Sequence, residues 1–273
     1  MSGVKYSPLY NKSCKTGTSL QDDVNIIAGS ANSVLVNFFN KCNIGETISE
    51  FTAKGLDVYL DIDAFILNDI KDGQEMFKDL ADKDVFRNIK GISVSNGNSR
   101  AGNIDLKYYS KKFKDIFANK NISVGIKLAI NISNGDSLTG FKNAANKFIE
   151  YNNDFDYILL NAYIPESSID STKFALKVFD ENFIRIKELE KPIYLQIESK
   201  KKKLEDESFL KVLRELECRQ SDKINYFMAD SFGPDSIFKK DSAYNKFESL
   251  GKDSYDCQYH GYIGNWENKP NDQ

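Results

Sequence analysis

No stretch of about 18 or more consecutive apolar residues occurs in the 273-residue sequence, so a membrane-spanning helix is excluded. An excess of charge is missing too. The 37 Lys and Arg stand against 40 Asp and Glu, giving a net charge of -3 spread along the chain, and nothing reads as a nucleic-acid surface. The opening residues, MSGVKYSPLY, lack an apolar secretory segment, so either the protein is intracellular or a leader has been removed. Cysteines at short spacing are also absent. Cys14, Cys42, Cys218 and Cys257 form neither a zinc nor a redox motif, and no metal is expected.

Those four cysteines leave two readings, buried thiols or two disulfides. Cys14 and Cys42 follow the first two strand-like segments at similar offsets, and Cys218 and Cys257 flank the last. The expected pairs are therefore Cys14–Cys42 and Cys218–Cys257. Three glycosylation-type sequons, at Asn11, Asn121 and Asn131, point the same way. Together they favour a secreted protein whose leader has been trimmed.

Short β-rich segments alternate with longer segments of helical periodicity. Strands are expected at Val4–Tyr6, Val34–Phe38, Asp57–Ile62, Gly91–Ser95, Ile122–Ile130, Asp156–Leu160, Pro192–Ile197 and Ile224–Met228. Helices are expected at Ser19–Ala28, Ile44–Lys54, Asp72–Asp82, Leu106–Ala118, Leu138–Tyr151, Ser171–Leu189 and Asp206–Glu217. Strands that are nearly continuous in apolar residues, separated by helices, imply a parallel sheet covered on its outer face. Eight such units fit a (β/α)8 barrel better than an open doubly wound sheet. No glycine-rich phosphate loop follows any strand, and no cofactor is expected. One domain over residues 1–273 is expected, with about the last 15 residues a closing tail.

In such a barrel the active site lies at the carboxyl ends of the strands. Those ends carry Tyr6, Phe38, Asp61, Asp63, Asn96, Gly97, Asn131, Asn161, Tyr163, Glu198, Asp230 and Phe232, and no histidine, since His260 is near the terminus. Aromatic rings, amides and carboxylates suit sugars, whose apolar faces stack while their hydroxyls bond to polar groups.

Several of these segments, in order, resemble glycoside hydrolase family 17. They are Tyr6-Ser7-Pro8 before Cys14-Lys15, the strand leading to Cys42, Ala53-Lys54-Gly55-Leu56-Asp57-Val58, Ile92 to Asn96, Asn161-Ala162-Tyr163, Tyr226-Phe227 with Asp230-Ser231-Phe232, and His260-Gly261-Tyr262-Ile263. The likeness is greatest to the fungal cell-wall β-1,3-glucanases and glucanosyltransferases. It implies a TIM barrel and retaining chemistry by two glutamates about 5 Å apart at the ends of the fourth and seventh strands. It also implies sugar contacts at Tyr6, Phe38, Asn96, Asn161, Tyr163, Asp230 and Phe232. Glu198 falls at the nucleophile position, whereas Gly97 stands at the acid/base position and has no proton to give. Lys200-Lys201-Lys202-Lys203 replaces the family's Thr-Gly-Trp-Pro, and Val36-Asn37-Phe38-Phe39 replaces its Arg-x-Tyr-Gly.

A general acid contributes on the order of 10² to 10⁴ in rate, so these departures imply a catalytically inactive, divergent member. It is expected to be a monomeric cell-wall or surface protein that still meets β-1,3-glucan or a related polysaccharide. Two other readings stay open. One is an active retaining hydrolase or transglycosylase using Asp61, Asp63 or Glu166 as the acid. The other is a protein-interaction scaffold whose partner surface is Lys200–Lys203. Each residue also has a plainer role: Glu198 pairing with a nearby lysine, the aromatic residues packing the rim, and the lysine run solvated.

Overall fold

The computed structural model describes residues 3–29, 31–64, 73–95, 106–131, 154–164, 191–199, 215 and 225–228. In chain order the described elements are β1 (Gly3–Tyr6), β2 (Leu9–Tyr10), β3 (Ser13–Cys14), α1 (Gly17–Ala28), β4 (Ser33–Asn37), α2 (Ile44–Ala53), β5 (Asp57–Asp63), α3 (Gly73–Asp82), β6 (Ile89–Ser95), α4 (Leu106–Phe117), β7 (Ser123–Asn131), β8 (Tyr157–Ile164), β9 (Ile193–Ser199) and β10 (Asn225–Met228). Apart from β2 and β3, each strand lies parallel to the next, and β10 pairs with β1 to close the ring. The chain is therefore a (β/α)8 barrel, as expected. The expected helices at 138–151 and 171–189 lie outside the described residues, as does 206–217 except for Glu215.

The helices follow from spacing and caps. In α1 the buried Leu20, Asp23, Val24 and Ile27 recur at three- and four-residue intervals and turn one stripe to the sheet. In α2 the same interval buries Ile44, Thr47, Ile48 and Phe51, and the Asn43 side chain caps the helix by accepting from the Glu46 backbone N–H at 3.2 Å. The helix ends at Gly55, which takes φ 79° while the Leu56 N–H reaches back to the Phe51 carbonyl at 3.3 Å.

The hairpin of β2 and β3 was not foreseen. Asn11 and Lys12 both adopt positive φ, 46° and 67°, the primed two-residue turn that matches strand twist. Its last residue, Cys14, is bonded to Cys42, the first of the two expected pairs. Cys218 and Cys257 lie outside the described residues.

Four strands run further than expected at their carboxyl ends. β5 reaches Asp63, β7 reaches Asn131, β8 reaches Ile164 and β9 reaches Ser199, because each end stays laddered to a neighbouring strand, as in Asp63↔Ser95 and Asn131↔Tyr163↔Glu198. Polar side chains there give the appearance of a loop in sequence although the backbone remains in the sheet.

Inside the ring, large and small residues alternate around the circumference. Tyr59 and Tyr194 approach with hydroxyls 3.4 Å apart and ring centroids 5.4 Å apart, and Tyr157 lies 5.2 Å from the Tyr194 ring. Phe227, Leu35 and Leu159 complete this inner cluster. Room for the rings comes from glycines. A Cβ on Gly91 would stand 3.0 Å from Tyr157, one on Gly3 would stand 2.6 Å from Phe227, and one on Gly125 would overlap the Tyr157 ring carbons. Barrel interiors are filled by side chains and not left open, so such pairing of bulk with absence of bulk is required.

Gly125→Ala is expected to lower the unfolding free energy by about 1–3 kcal/mol through overpacking. Gly45→Ala, whose added carbon would meet Val85 at an ordinary 3.4 Å, is expected to be near neutral. Urea unfolding of the two variants measures the contrast, and equal effects would refute this account of the interior.

Candidate active site at the barrel mouth

Towards the carboxyl ends, the inward faces of β1, β5, β7 and β9 change from glycine and tyrosine to charged and amide side chains. One pleat beyond Gly3, Tyr59, Gly125 and Tyr194 stand Lys5, Asp61, Lys127 and Gln196. The Lys127 ammonium donates to Asp61 Oδ2 at 2.5 Å, and the Lys5 ammonium lies 3.7 Å from the same oxygen. Asp61 is only 8% exposed, and its Oδ1 has no hydrogen-bond partner among the described residues. Beneath it the Ser93 and Tyr157 hydroxyls share a hydrogen bond of 2.8 Å.

Burial acts to raise the Asp61 pKa, but the Lys127 and Lys5 ammoniums and their hydrogen bonds outweigh it and hold the carboxyl below its ordinary value. A carboxylate kept ionised between two cations does not give up a proton at neutral pH, so Asp61 is removed from the candidate acids. Burial likewise raises the phenol pKa values of Tyr59 and Tyr157, with the neighbouring tyrosines adding to the shift.

The next pleat is the mouth. Asp63 ends β5, partly exposed, and Glu198 lies at the carboxyl end of β9, beside Tyr163 in the ladder. Ser95 pairs with Asp63 and donates to the Ile62 carbonyl at 3.3 Å, while Asn37 and the buried Asn161 pair with Asp61 and Gln196 of the pleat below. Fold closure thus brings Asp63, Asn161, Tyr163 and Glu198 to one end of the barrel.

Two residues expected at a sugar surface lie elsewhere. Tyr6 is fully buried among Leu20, Val24 and Phe51, with its hydroxyl donating to Asp23 at 3.1 Å, where Lys15 also bonds. Phe38 is 3% exposed and packs against Phe77 with ring centroids 4.7 Å apart. Their places in the strand pattern turn them outward against the helices, so neither ring is open to a ligand. Asn96, Gly97, Glu166, Lys200–Lys203, Asp230 and Phe232 lie outside the described residues.

The buried ion group escaped the sequence reading. A signal was available, because Lys5, Asp61 and Lys127 each interrupt an apolar strand, and a charge buried in a strand requires a partner. Among the described residues no group of three or more His, Cys, Asp or Glu could hold a metal ion, and no helix is long and apolar enough to cross a membrane.

No protein-family model matches the sequence, and no curated protein is significantly similar to it. Solved structures do resemble the fold. The glycoside hydrolase family 17 β-1,3-glucanosyltransferase from Rhizomucor miehei is similar with a TM-score of 0.61 at 18% identity, over 83% of this chain and 85% of that one. Thermotoga maritima Cel5A, in a mutant form in complex with cellobiose, has a TM-score of 0.62 at 12% identity, over 91% and 95%. A family 128 endo-β-1,3-glucanase from Amycolatopsis mediterranei in complex with laminaritriose has a TM-score of 0.52 at 10% identity, over 91% and 98%. At these identities the likeness establishes a barrel fold shared with glycoside hydrolases.

Asp61→Asn is expected to cost about 1.5–3 kcal/mol, since it removes the charge-assisted hydrogen bond and ion pair that the carboxylate makes to the largely buried Lys127 and Lys5 ammoniums. Folding lowers the Asp61 pKa, so the unfolded chain takes up its proton first and stability falls as pH drops below about 3.9. Folding raises the Tyr59 and Tyr157 pKa values, so stability falls again as pH climbs past about 10. Chemical denaturation across pH checks both limbs, and the acid limb is expected to flatten in Asp61→Asn.

Proposed function

We propose that this chain is a divergent, family 17-like polysaccharide-binding barrel, secreted to a cell wall or cell surface, in which glycoside cleavage has been lost. It is read as one domain that binds β-1,3-glucan or a related glycan at the carboxyl ends of its strands, as a monomer. The observation that carries the reading is the position of Glu198 at the carboxyl end of the seventh barrel strand, where a retaining glycosidase of this fold keeps its nucleophile. Gly97, two residues past the end of the fourth barrel strand, occupies the acid/base position without a proton to donate. Asn96, Asn161, Tyr163, Asp230 and Phe232 are the proposed sugar contacts. The Cys14–Cys42 disulfide supports an oxidising compartment.

A second reading, an active retaining enzyme with a different acid, is narrowed by one observation. With Asp61 held ionised by two lysines, the acid within the described residues would be Asp63, which ends its strand partly exposed.

Calorimetry with laminarin-type β-1,3-glucan oligosaccharides, with the same mixture followed for new reducing ends, tests both readings. Binding in the micromolar to millimolar range without products is expected, and Glu198→Gln is expected to create no further loss of turnover. Products that vanish in Glu198→Gln and in Asp63→Asn would replace the first reading with the second. Absence of both binding and products would overturn glycan recognition and favour a protein-interaction scaffold.

A further inference from the structure

We infer that Asn121 is an acceptor for an N-linked glycan, on the face of the barrel opposite Glu198. The inference rests on the secretory reading above, and no part of the proposed glycan-binding site takes part in it. Asn121-Ile122-Ser123 is a sequon that the barrel fold does not otherwise explain. α4 ends at Phe117 and β7 begins at Ser123, so the intervening turn lies at the amino end of the barrel. Asn121 is exposed there and adopts φ 51°, a left-handed conformation that asparagine tolerates better than most residues, and Ser123 is exposed as well.

The turn is held from behind. The Lys120 ammonium donates to the Ala81 carbonyl and reaches Asp84 at 3.5 Å, while the Val124 N–H donates to Asp156 at 2.8 Å. Beside Asn121 opens a concavity of about 710 Å³ lined by polar groups that include Asn88, Arg87, Lys90 and Asp57, with room for the first sugar of a linked glycan and groups to bond its hydroxyls. The other two sequons are less suited. Asn131 is the last residue of β7 and is laddered to Tyr163 in the barrel wall at the mouth. Asn11 is exposed at the hairpin tip with φ 46°, but its Ser13 is already paired in the short hairpin and the disulfide lies at the next residue.

The transfer needs a lipid-linked diphospho-oligosaccharide and an oligosaccharyl transferase. A bond forms between Asn121 Nδ2 and the anomeric carbon of the donor, while the anomeric bond to the diphosphate oxygen breaks. The lipid diphosphate leaves, the amide proton passes to the transferase, and nothing is oxidised or reduced. Because Asn121 faces away from the strand ends, its glycan leaves the mouth open.

The test is to secrete the full chain from yeast behind a cleavable leader and to map its peptides before and after peptide N-glycosidase. Asn121 is expected to be occupied in most molecules and to be converted to aspartate by the glycosidase. Asn121→Gln and, independently, Ser123→Ala should each remove that glycan; Ser123→Ala keeps the left-handed asparagine in place should Asn121→Gln misfold. Glucan affinity of the glycosylated chain should equal that of the deglycosylated chain. A bare Asn121 in secreted protein whose Cys14 and Cys42 are oxidised would overturn the acceptor while leaving the secretory reading intact. In protein recovered from its own cells, reduced Cys14 and Cys42 together with a bare Asn121 would sink the secretory reading, and the inference with it.

Discussion

Closing eight parallel strands into a ring encloses a space that only their own inward side chains can fill, and the rest of this structure answers to that requirement. Water left there would strand the polar edges of the rings, and empty space would forfeit contacts among them. The chain meets the requirement by setting Tyr59, Tyr157, Tyr194 and Phe227 against Gly3, Gly91 and Gly125. Neither set is adjustable alone. The phenols reach far enough that some hydroxyls meet each other or Ser93, which keeps their polar ends satisfied away from solvent.

Above that aromatic plug the interior becomes ionic, and this division separates stability from function in the barrel. Lys5, Asp61 and Lys127 lie between the plug and the mouth, with Asp61 buried and the two lysines largely so. Their energetic value lies less in the attraction, which desolvation largely offsets, than in the penalty for leaving any one of them alone. They therefore form a polar floor, at one end of a closed ring, beneath the position where a glycan is proposed to bind.

Much of the architecture was legible because parallel strands are buried on both faces and read as apolar runs, so every barrel strand was located to within a few residues. Strand ends were less legible. Near the mouth the strands end in polar residues, Asp63, Asn161 and Glu198 among them, and a polar residue at a strand end has the same letters as one in a loop. Strand parity misled at Tyr6 and Phe38, whose aromatic character suited a ligand surface but whose positions turn them toward α1 and α3. The hairpin was missed because two residues per strand carry no period to detect; Asn11 at its turn was the available sign.

The seam of the ring has a consequence for how the chain comes into being. β1, which precedes the other barrel strands in the sequence, pairs on one side with β4, and the Cys14–Cys42 bond lies within the same stretch of sequence. Its other edge waits for β10, near the opposite end of the chain. During synthesis that edge presents unpaired amides and carbonyls, bordered by Val4 and Tyr6, for as long as the remaining strands take to emerge. The cross-linked amino-terminal segment is thus an early, half-finished sheet that must be kept from neighbouring chains until its own last strand arrives.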